Sequence, residues 1–160
     1  MEKAVKTNVM RLLDQARIPY LVHTYAYTED DPTGKALGHE DILPREQIFK
    51  TLVTQGPKGA VYVFCIPIDS ELDLKKAARA AGEKSIEMIH VKQLLSLTGY
   101  VRGGCSPIGM KKRYPTALDE TAVLYDEIAV SGGARGCQIL LSPTALAGYI
   151  PADLADLTIV

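Results

Sequence analysis

The stretch "QIFKTLVTQGPKGAVYVFCIP", from Gln47 to Pro67, decides the fold of this chain. Both of its ends are apolar and rich in β-branched and aromatic residues, which favour strands. Between them lies "GPKG", and glycine and proline at this spacing are typical of a turn. The stretch therefore predicts two strands, "KTLVTQ" and "AVYVFCIP", joined by a turn at residues 56–59.

Helix and strand patterns alternate irregularly on either side of this pair. Helices are predicted at residues 3–17, 44–49, 69–82, 90–99 and 142–150. Further strands are predicted at residues 20–25, 85–89, 116–121, 127–133, 137–142 and 157–160. This interleaving favours an α+β (mixed α/β) class, with a curled mixed sheet flanked by short helices, over a regular βαβ winding. The length of 160 residues fits a single domain over residues 1–160.

Composition and charge exclude several classes of protein. The chain is 47% hydrophobic and 23% charged, as in an ordinary soluble protein. A net charge of −1 excludes wholesale attraction to nucleic acid or membrane, so any polyanion site must be a local patch. No stretch approaches 18 apolar residues and the N-terminus has no apolar h-region, so neither a membrane span nor a signal peptide is expected.

The cysteines and histidines indicate neither disulfides nor a metal site. Cys65, Cys105 and Cys137 are odd in number and widely spaced, which is typical of reduced thiols in a cytoplasmic protein. The three histidines are far apart and lack metal-ligand spacing, so we expect no metal and no cofactor. His23 is predicted to be a satisfied, half-buried strand residue, and His39 a solvated loop residue.

Two glycine-rich loops carry cations. In "RGGCSPIGMKKR" (Arg102–Arg113), the pattern does not fit a P-loop, because no Lys directly follows Gly109. It does not fit an esterase elbow either, because the closing glycine is absent. Gly103 and Gly104 leave room for a ligand to touch the main chain, and three cations follow: Lys111, Lys112 and Arg113. The alternative is a tight turn followed by a solvated basic run.

The second loop, "SGGARG" (Ser131–Gly136), lies between two strand patterns. It is predicted to be a hairpin turn, and it also carries a hydroxyl and Arg135. Two glycine loops with cations in one small domain favour a shared anionic ligand.

Lys50 lies inside a strand whose two faces are otherwise largely apolar. Alternation places Ile48, Lys50 and Leu52 on one face of "QIFKTLV". Because lysine is almost never buried without a partner, Lys50 either extends its ammonium to solvent or lines a pocket with it.

Cys105 is a candidate nucleophile of a different kind, since nearby cations could lower its pKa.

Taken together, these motifs resemble the YbaK/EbsC family of free-standing editing proteins, which is related to the insertion domain of bacterial prolyl-tRNA synthetases. The resemblance covers essentially the whole chain. The motifs that carry it are "HTY" (His23–Tyr25), "FKTL" (Phe49–Leu52), "LKKAARAAG" (Leu74–Gly82), "TGYVRGGCSPIGMKKR" (Thr98–Arg113) and "VSGGARG" (Val130–Gly136).

The resemblance implies an aminoacyl-tRNA deacylase that removes cysteine mischarged on tRNA(Pro), with Cys-tRNA(Cys) as a further substrate. Its implied partners are the 3′ CCA end of aminoacylated tRNA and prolyl-tRNA synthetase, in the cytoplasm. By motif match the catalytic positions fall on Lys50 and Gly104. The matched substrate-binding positions are Tyr25, Thr51, Gly103 and Ser131, and tRNA phosphates would be held by Lys111, Lys112, Arg113 and Arg135.

At two positions the chain departs from the family pattern: Thr33 precedes Gly34 where an aromatic residue is frequent, and Cys105 occupies a variable position. Because an aminoacyl ester is already activated, the implied mechanism needs positioning and charge stabilisation, with the cysteinyl thiol itself attacking the carbonyl. Three alternatives are a hydrolase of alanyl ester, a non-catalytic module that binds tRNA or synthetase, and a thiol enzyme that uses Cys105.

Overall fold

The computed structural model describes residues 6–28, 30 and 43–159. Within them the strands are β1 (Leu21–Thr24), β2 (Phe49–Gln55), β3 (Val61–Pro67), β4 (Glu87–Met88), β5 (Thr116–Asp119), β6 (Ile128–Ser131), β7 (Cys137–Leu141) and β8 (Asp153–Ala155). The α-helices are α1 (Asn8–Gln15), α2 (Leu74–Ala81), α3 (Val91–Thr98) and α4 (Pro143–Tyr149), and short 3₁₀ helices span Arg45–Gln47 and Glu120–Leu124.

The predicted mixed α+β class is confirmed, and the strands divide between two sheets. One sheet has the order β1-β7-β6 and is antiparallel throughout. The other has the order β4-β2-β3-β5-β8, in which β5 runs parallel to both β3 and β8.

The strand pair of the opening stretch forms as predicted. β2 and β3 pair antiparallel over their whole lengths, from Phe49 opposite Pro67 to Gln55 opposite Val61. The turn between them is closed by a hydrogen bond from the amide of Gly59 to the carbonyl of Gly56, at 3.0 Å. β3 is a central strand of its sheet, which explains its continuous apolar run: both of its faces are covered.

Helix α1 is shorter than predicted. It begins at Asn8, because the hydroxyl of Thr7 accepts the amide of Met10 and caps the first turn. The predicted start at residue 3 is wrong for Lys6 and Thr7, which are not helical, while residues 3–5 lie outside the described part. The predicted end at residue 17 is also wrong, since the helix ends at Gln15. Helices α2 and α3 end immediately before the predicted glycines, Gly82 and Gly99.

The strand predicted at residues 157–160 does not form over the described residues. Only an isolated bridge joins Thr158 to Leu72 there, and the last strand is β8 instead. The amide of Leu157 donates to a carboxylate oxygen of Asp119 at 3.0 Å, so a side chain takes the place of a neighbouring strand. The same carboxylate accepts from Thr121 and starts a 3₁₀ helix, which ends the predicted strand 116–121 at Asp119.

The two sheets meet beside the start of β2. An isolated parallel bridge joins Ile48 to Ala129 of β6. These two residues and Leu140 of β7 form a small buried apolar cluster. The junction brings the beginning of β2 close to β6 and β7, although far from them in sequence.

Candidate functional site

A cavity of about 440 Å³ lies at the junction of the two sheets. This volume is within the range of pockets that bind small molecules. Its wall is formed by Tyr25, Arg45, Ile48, Phe49, Lys50, Thr51, Leu52, Ile68, Arg102, Gly103, Cys105, Ser131 and Gln138. The wall thus combines apolar side chains with polar and charged groups that come from separate segments.

Five of the ten site positions implied by the resemblance line this cavity, and so does Cys105. The five are Tyr25, Lys50, Thr51, Gly103 and Ser131. The other five are not part of its wall among the described residues; they are Gly104, Lys111, Lys112, Arg113 and Arg135.

Lys50 lies in β2 opposite Ile66 of β3 and is half-buried. Of the two alternatives for this residue, its position agrees with the one in which it lines a pocket. Phe49, on the opposite face of the strand, packs into the main core, which fixes the direction of Lys50. The hydroxyl of Thr51 lies 3.7 Å from the sulfur of Cys65.

The two glycine loops pack against each other through their main chains. A Cβ atom added to Gly104 would lie 3.0 Å from the nitrogen of Arg135 and 3.1 Å from the carbonyl carbon of Ala134. The amide of Gly104 donates within its own loop to the carbonyl of Val101, at 2.9 Å. Gly103, with a φ of +86°, is the glycine that faces the cavity.

Arg135 holds these loops together. Its Nε–H donates to the carbonyl of Arg102 at 2.8 Å. The loop "SGGARG" is the hairpin turn predicted between β6 and β7, with Ser131 opposite Gln138. The amide of Tyr25 donates to the carbonyl of Gly136 at 2.9 Å, which ties the start of the cavity wall to this hairpin.

The basic run lies at a second, smaller cavity of about 220 Å³. Its wall is formed by Leu12, Pro107, Gly109, Met110, Lys112, Arg113, Tyr114, Thr116, Tyr149 and Ile150. Lys111 packs beside Gly99 instead. The cations at the first cavity are Lys50, Arg45 and Arg102, and Arg45 is paired with Asp69 through two hydrogen bonds of 2.6 and 2.8 Å.

Sequence reasoning missed Arg45, Arg102 and Gln138. Gln138 is 9% exposed, and its carbonyl oxygen is buried without a hydrogen-bond partner. A signal for it existed: one amide interrupts the apolar strand "CQILL". Arg102 is the first residue of the loop "RGGCSPIGMKKR" and Arg45 lies shortly before "FKTL", but the sequence does not show that the two approach one cavity.

The expectation that cations lower the pKa of Cys105 is wrong. Burial raises the pKa of this thiol to about 12, against an opposing hydrogen bond from Thr98. Two of the three cations of the basic run line the other cavity, so they do not counteract the rise in the pKa of Cys105 that burial causes. Burial also raises the pKa of Cys65 to about 12. Cys105 is therefore a neutral wall residue near neutral pH, which disfavours the thiol-enzyme alternative.

The described residues form neither a metal-binding cluster nor a helix that could cross a membrane. Over residues 6–28, 30 and 43–159, no three His, Cys, Asp or Glu side chains are close enough together to hold a metal ion. In the same ranges no helix has the length and apolar character needed to cross a bilayer. Thr33, Gly34 and His39 lie outside the described residues.

Comparison with known proteins gives matches over most of the chain. The family described as "Aminoacyl-tRNA editing domain" matches residues 33–149. A relative from Enterococcus faecalis, the proposed Cys-tRNA(Pro)/Cys-tRNA(Cys) deacylase EbsC, is 46% identical over 153 residues, which are 96% of this chain and 93% of that protein.

Two solved structures have the same fold as this chain. The crystal structure of a proposed trans-editing enzyme for prolyl-tRNA synthetase is similar, with a TM-score of 0.77 and 26% identity over 98% of this chain and 100% of that one. The hypothetical protein APE2540 has the same fold, with a TM-score of 0.81 and 22% identity over 94% of this chain and 99% of that one.

Proposed function

Because the chain belongs to the aminoacyl-tRNA editing domain family, we propose that it is a trans-editing deacylase that removes cysteine mischarged on tRNA(Pro). The observation that carries this proposal is the cavity at the sheet junction, where Tyr25, Lys50, Thr51, Gly103 and Ser131 come together. We propose Cys-tRNA(Cys) as a further substrate, following the name of the 46% identical relative.

The cavity suits the aminoacylated end of a tRNA. Ile48, Leu52 and Ile68 provide apolar wall against which a base or a small side chain packs. Tyr25 adds an aromatic ring, and base–aromatic stacking is a common way to hold a single-stranded nucleotide. Lys50 and Arg102 bring positive charge to the same space, as a phosphate requires.

The proposed reaction needs no nucleophile from the protein, because the aminoacyl ester is already activated and the substrate carries its own thiol. In the proposed reaction the thiol sulfur of the cysteinyl group forms a bond to its own carbonyl carbon. The bond from that carbon to the ribose oxygen breaks, and the thiol proton passes to the ribose oxygen, which leaves as a hydroxyl. The enzyme contributes by fixing the reacting atoms in this geometry and by stabilising the negative charge that develops on the carbonyl oxygen.

Each cavity residue has a proposed part in this reaction. The Lys50 ammonium holds the phosphate of the terminal adenosine and offsets charge near the ester. The main chain at Gly103 contacts the aminoacyl group, while Gly104 acts by keeping the two glycine loops in main-chain contact. Thr51, Ser131 and Tyr25 shape the pocket.

The basic run is proposed to hold tRNA phosphates at a distance from the ester. The loop of residues 102–113 supplies wall to both cavities. Its chain from Gly103 to Gly109 spans at most about 20 Å, so one RNA strand that reaches the first cavity can pass the second. Lys111, Lys112 and Arg113 then bind phosphates along that path, and Arg135 does so where the loops meet. We also propose prolyl-tRNA synthetase as the partner, and the cytoplasm as the place of action.

Release of amino acid from Cys-tRNA(Pro), Ala-tRNA(Pro), Pro-tRNA(Pro) and Cys-tRNA(Cys) tests this function. We expect release of cysteine and little release of alanine or proline, because those side chains have no thiol to attack the ester. Efficient release of alanine would replace the proposal by a water-using hydrolase. Binding of tRNA with a steep salt dependence but no release from any substrate would replace it by a non-catalytic module.

A further inference from the structure

Two buried polar atoms have no hydrogen-bond partner in the part of the chain that the structure describes: Nε2 of His23 and Oε1 of Gln138. Other buried polar side chains are satisfied; the hydroxyls of Thr54 and Thr98, for example, each donate to a main-chain carbonyl. Unsatisfied buried polar atoms are uncommon in folded proteins because they are costly. His23 is half-buried as predicted, but the expectation that it is also satisfied is wrong.

These two residues lie directly opposite each other on neighbouring strands. In the antiparallel pair β1–β7, His23 is the partner of Gln138, and in β6–β7 the partner of Gln138 is Ser131. Residues directly opposite in an antiparallel pair point to the same face, with Cβ atoms about 4.5–5.5 Å apart. The three side chains therefore form one polar row across the three-stranded sheet.

The row runs from behind the cavity wall into the cavity. Ser131 and Gln138 line the cavity, whereas His23 does not. The amide oxygen of Gln138 is buried and has no hydrogen-bond partner. The amide nitrogen is not left buried and unpaired in this way. A buried oxygen is what a Gln138 amide with its nitrogen towards the cavity would show.

We propose that the Nε2–H of His23 donates to Oε1 of Gln138 and so holds the Gln138 amide with its NH₂ group directed into the cavity. There the NH₂ donates to the carbonyl oxygen of the bound aminoacyl ester. The terminal torsion of a glutamine side chain is broad, so rotation of the Gln138 amide can bring its oxygen to the His23 ring. This inference rests on the proposed function, because the acceptor in the cavity is the ester of that substrate.

The orientation of this amide matters for the reaction. A primary amide offers either two donors or an acceptor, depending on which end faces the ligand. A donor aimed at the carbonyl oxygen stabilises the charge that develops there when the thiol attacks, which is how oxyanion sites act. Gln138 is then a catalytic residue, and His23 is a positioning residue that acts through it.

Substitutions separate these roles. Gln138→Leu is expected to lower kcat about a hundredfold with KM within about threefold, as for loss of one oxyanion donor. His23→Leu, which removes the donor, is expected to lower kcat about tenfold. His23→Gln keeps an N–H near the Nε2 position and is expected to retain kcat within about threefold of wild type. Thr24→Val, on the same strand but the opposite face, is the control and leaves kcat unchanged.

The double variant decides whether His23 acts through Gln138. If it does, adding His23→Leu to Gln138→Leu lowers kcat by no more than about twofold. A further tenfold loss in that background would overturn the positioning role, as would His23→Leu with wild-type kcat.

A measurement on the wild-type protein does not depend on activity or on the folding of a variant. Nitrogen-15 NMR of the histidine rings is expected to show His23 protonated at Nε2. A bare Nε2 with a protonated Nδ1 would overturn the proposal even if deacylation is found. Conversely, a wild-type protein that deacylates none of the four charged tRNAs would contradict the proposed function. The NMR measurement tests the His23–Gln138 contact independently of that outcome.

Discussion

The two cavities on either side of the loop of residues 102–113 differ in what lines them. The larger, at the sheet junction, takes polar groups from three strands, namely Lys50, Ser131 and Gln138, beside apolar side chains. The smaller takes its cations, Lys112 and Arg113, from an exposed part of the loop. Polar groups held by strands in a partly dry space suit chemistry, because they are pre-positioned and poorly screened. Exposed cations suit phosphate contacts, which are strongly salt-dependent.

Lys50→Ala is the substitution expected to have the largest effect. Loss of the ammonium from the larger cavity should lower kcat/KM for release of cysteine from Cys-tRNA(Pro) by about 10²–10³-fold. The matched control is Lys58→Ala, in the exposed β2–β3 turn, which should leave the rate unchanged. Unchanged cysteine release by Lys50→Ala would remove Lys50 from the mechanism and the larger cavity from the function.

Gly104→Ala tests whether the two glycine loops must touch through their main chains. The added Cβ would be forced against main-chain atoms near 3.0 Å, so we expect a loss of about 1–3 kcal/mol in the free energy of unfolding. Urea denaturation measures it. Gly148→Ala in α4 is the control, because its Cβ meets nothing within 4 Å, and it should stabilise by about 0.5–1 kcal/mol. Equal effects of the two substitutions would contradict the close packing.

Lys112→Ala combined with Arg113→Ala separates the two cavities. The double substitution should raise KM for charged tRNA about tenfold and leave kcat unchanged. It should also lower the slope of log affinity against log salt concentration by the amount expected for about two phosphate contacts. The rate of ester cleavage in a minimal cysteinyl-adenosine ester, which fills only the larger cavity, should not change. Lys75→Ala with Arg79→Ala, exposed on α2, removes the same charge elsewhere and is the control. A loss of kcat on the minimal ester would show that the cavities do not act separately.

Cys105→Ser is expected to have the smallest effect, within about threefold of the wild-type kcat, because the thiol is neutral and is not a nucleophile. Activity that disappears in Cys105→Ser would restore the thiol-enzyme alternative.

The same thiol gives a pH dependence of stability. The pKa of Cys105 rises from 9.0 to about 12 on folding, so the folded state binds its proton more tightly. The resulting stabilisation is complete below pH 9 and is lost as the pH rises from about 9 to about 12. Cys65 contributes in the same direction. Unfolding free energies measured between pH 7 and pH 10.5 should therefore fall above pH 9, and less so in Cys105→Ser. An equal fall in both proteins would contradict the burial of this thiol.

Local sequence signals predicted most of the secondary structure. The strand pair β2–β3 and the glycine ends of α2 and α3 agree with their patterns, since strand alternation and helix termination act over a few residues. The same signals failed at residues 157–160, where a side-chain hydrogen bond from Asp119, 38 positions away, satisfies the main chain. Five of the ten site residues line one cavity. Four of these lie in a strand or directly after one, and the fifth, Gly103, lies in the loop of residues 102–113.

The sequence by itself determined the mixed α+β class, the hairpin at residues 131–136 and the unusual position of Lys50, because each depends on neighbours along the chain. Only the tertiary structure decided that the start of β2 meets β6 and β7, that Lys112 and Arg113 line a separate cavity, and that Cys105 is a neutral thiol. It also decided that His23 lies opposite Gln138. Strand register and burial are set by contacts between residues distant in sequence. A periodic pattern predicts which side chains share a face of a strand, but it does not predict which element packs against that face.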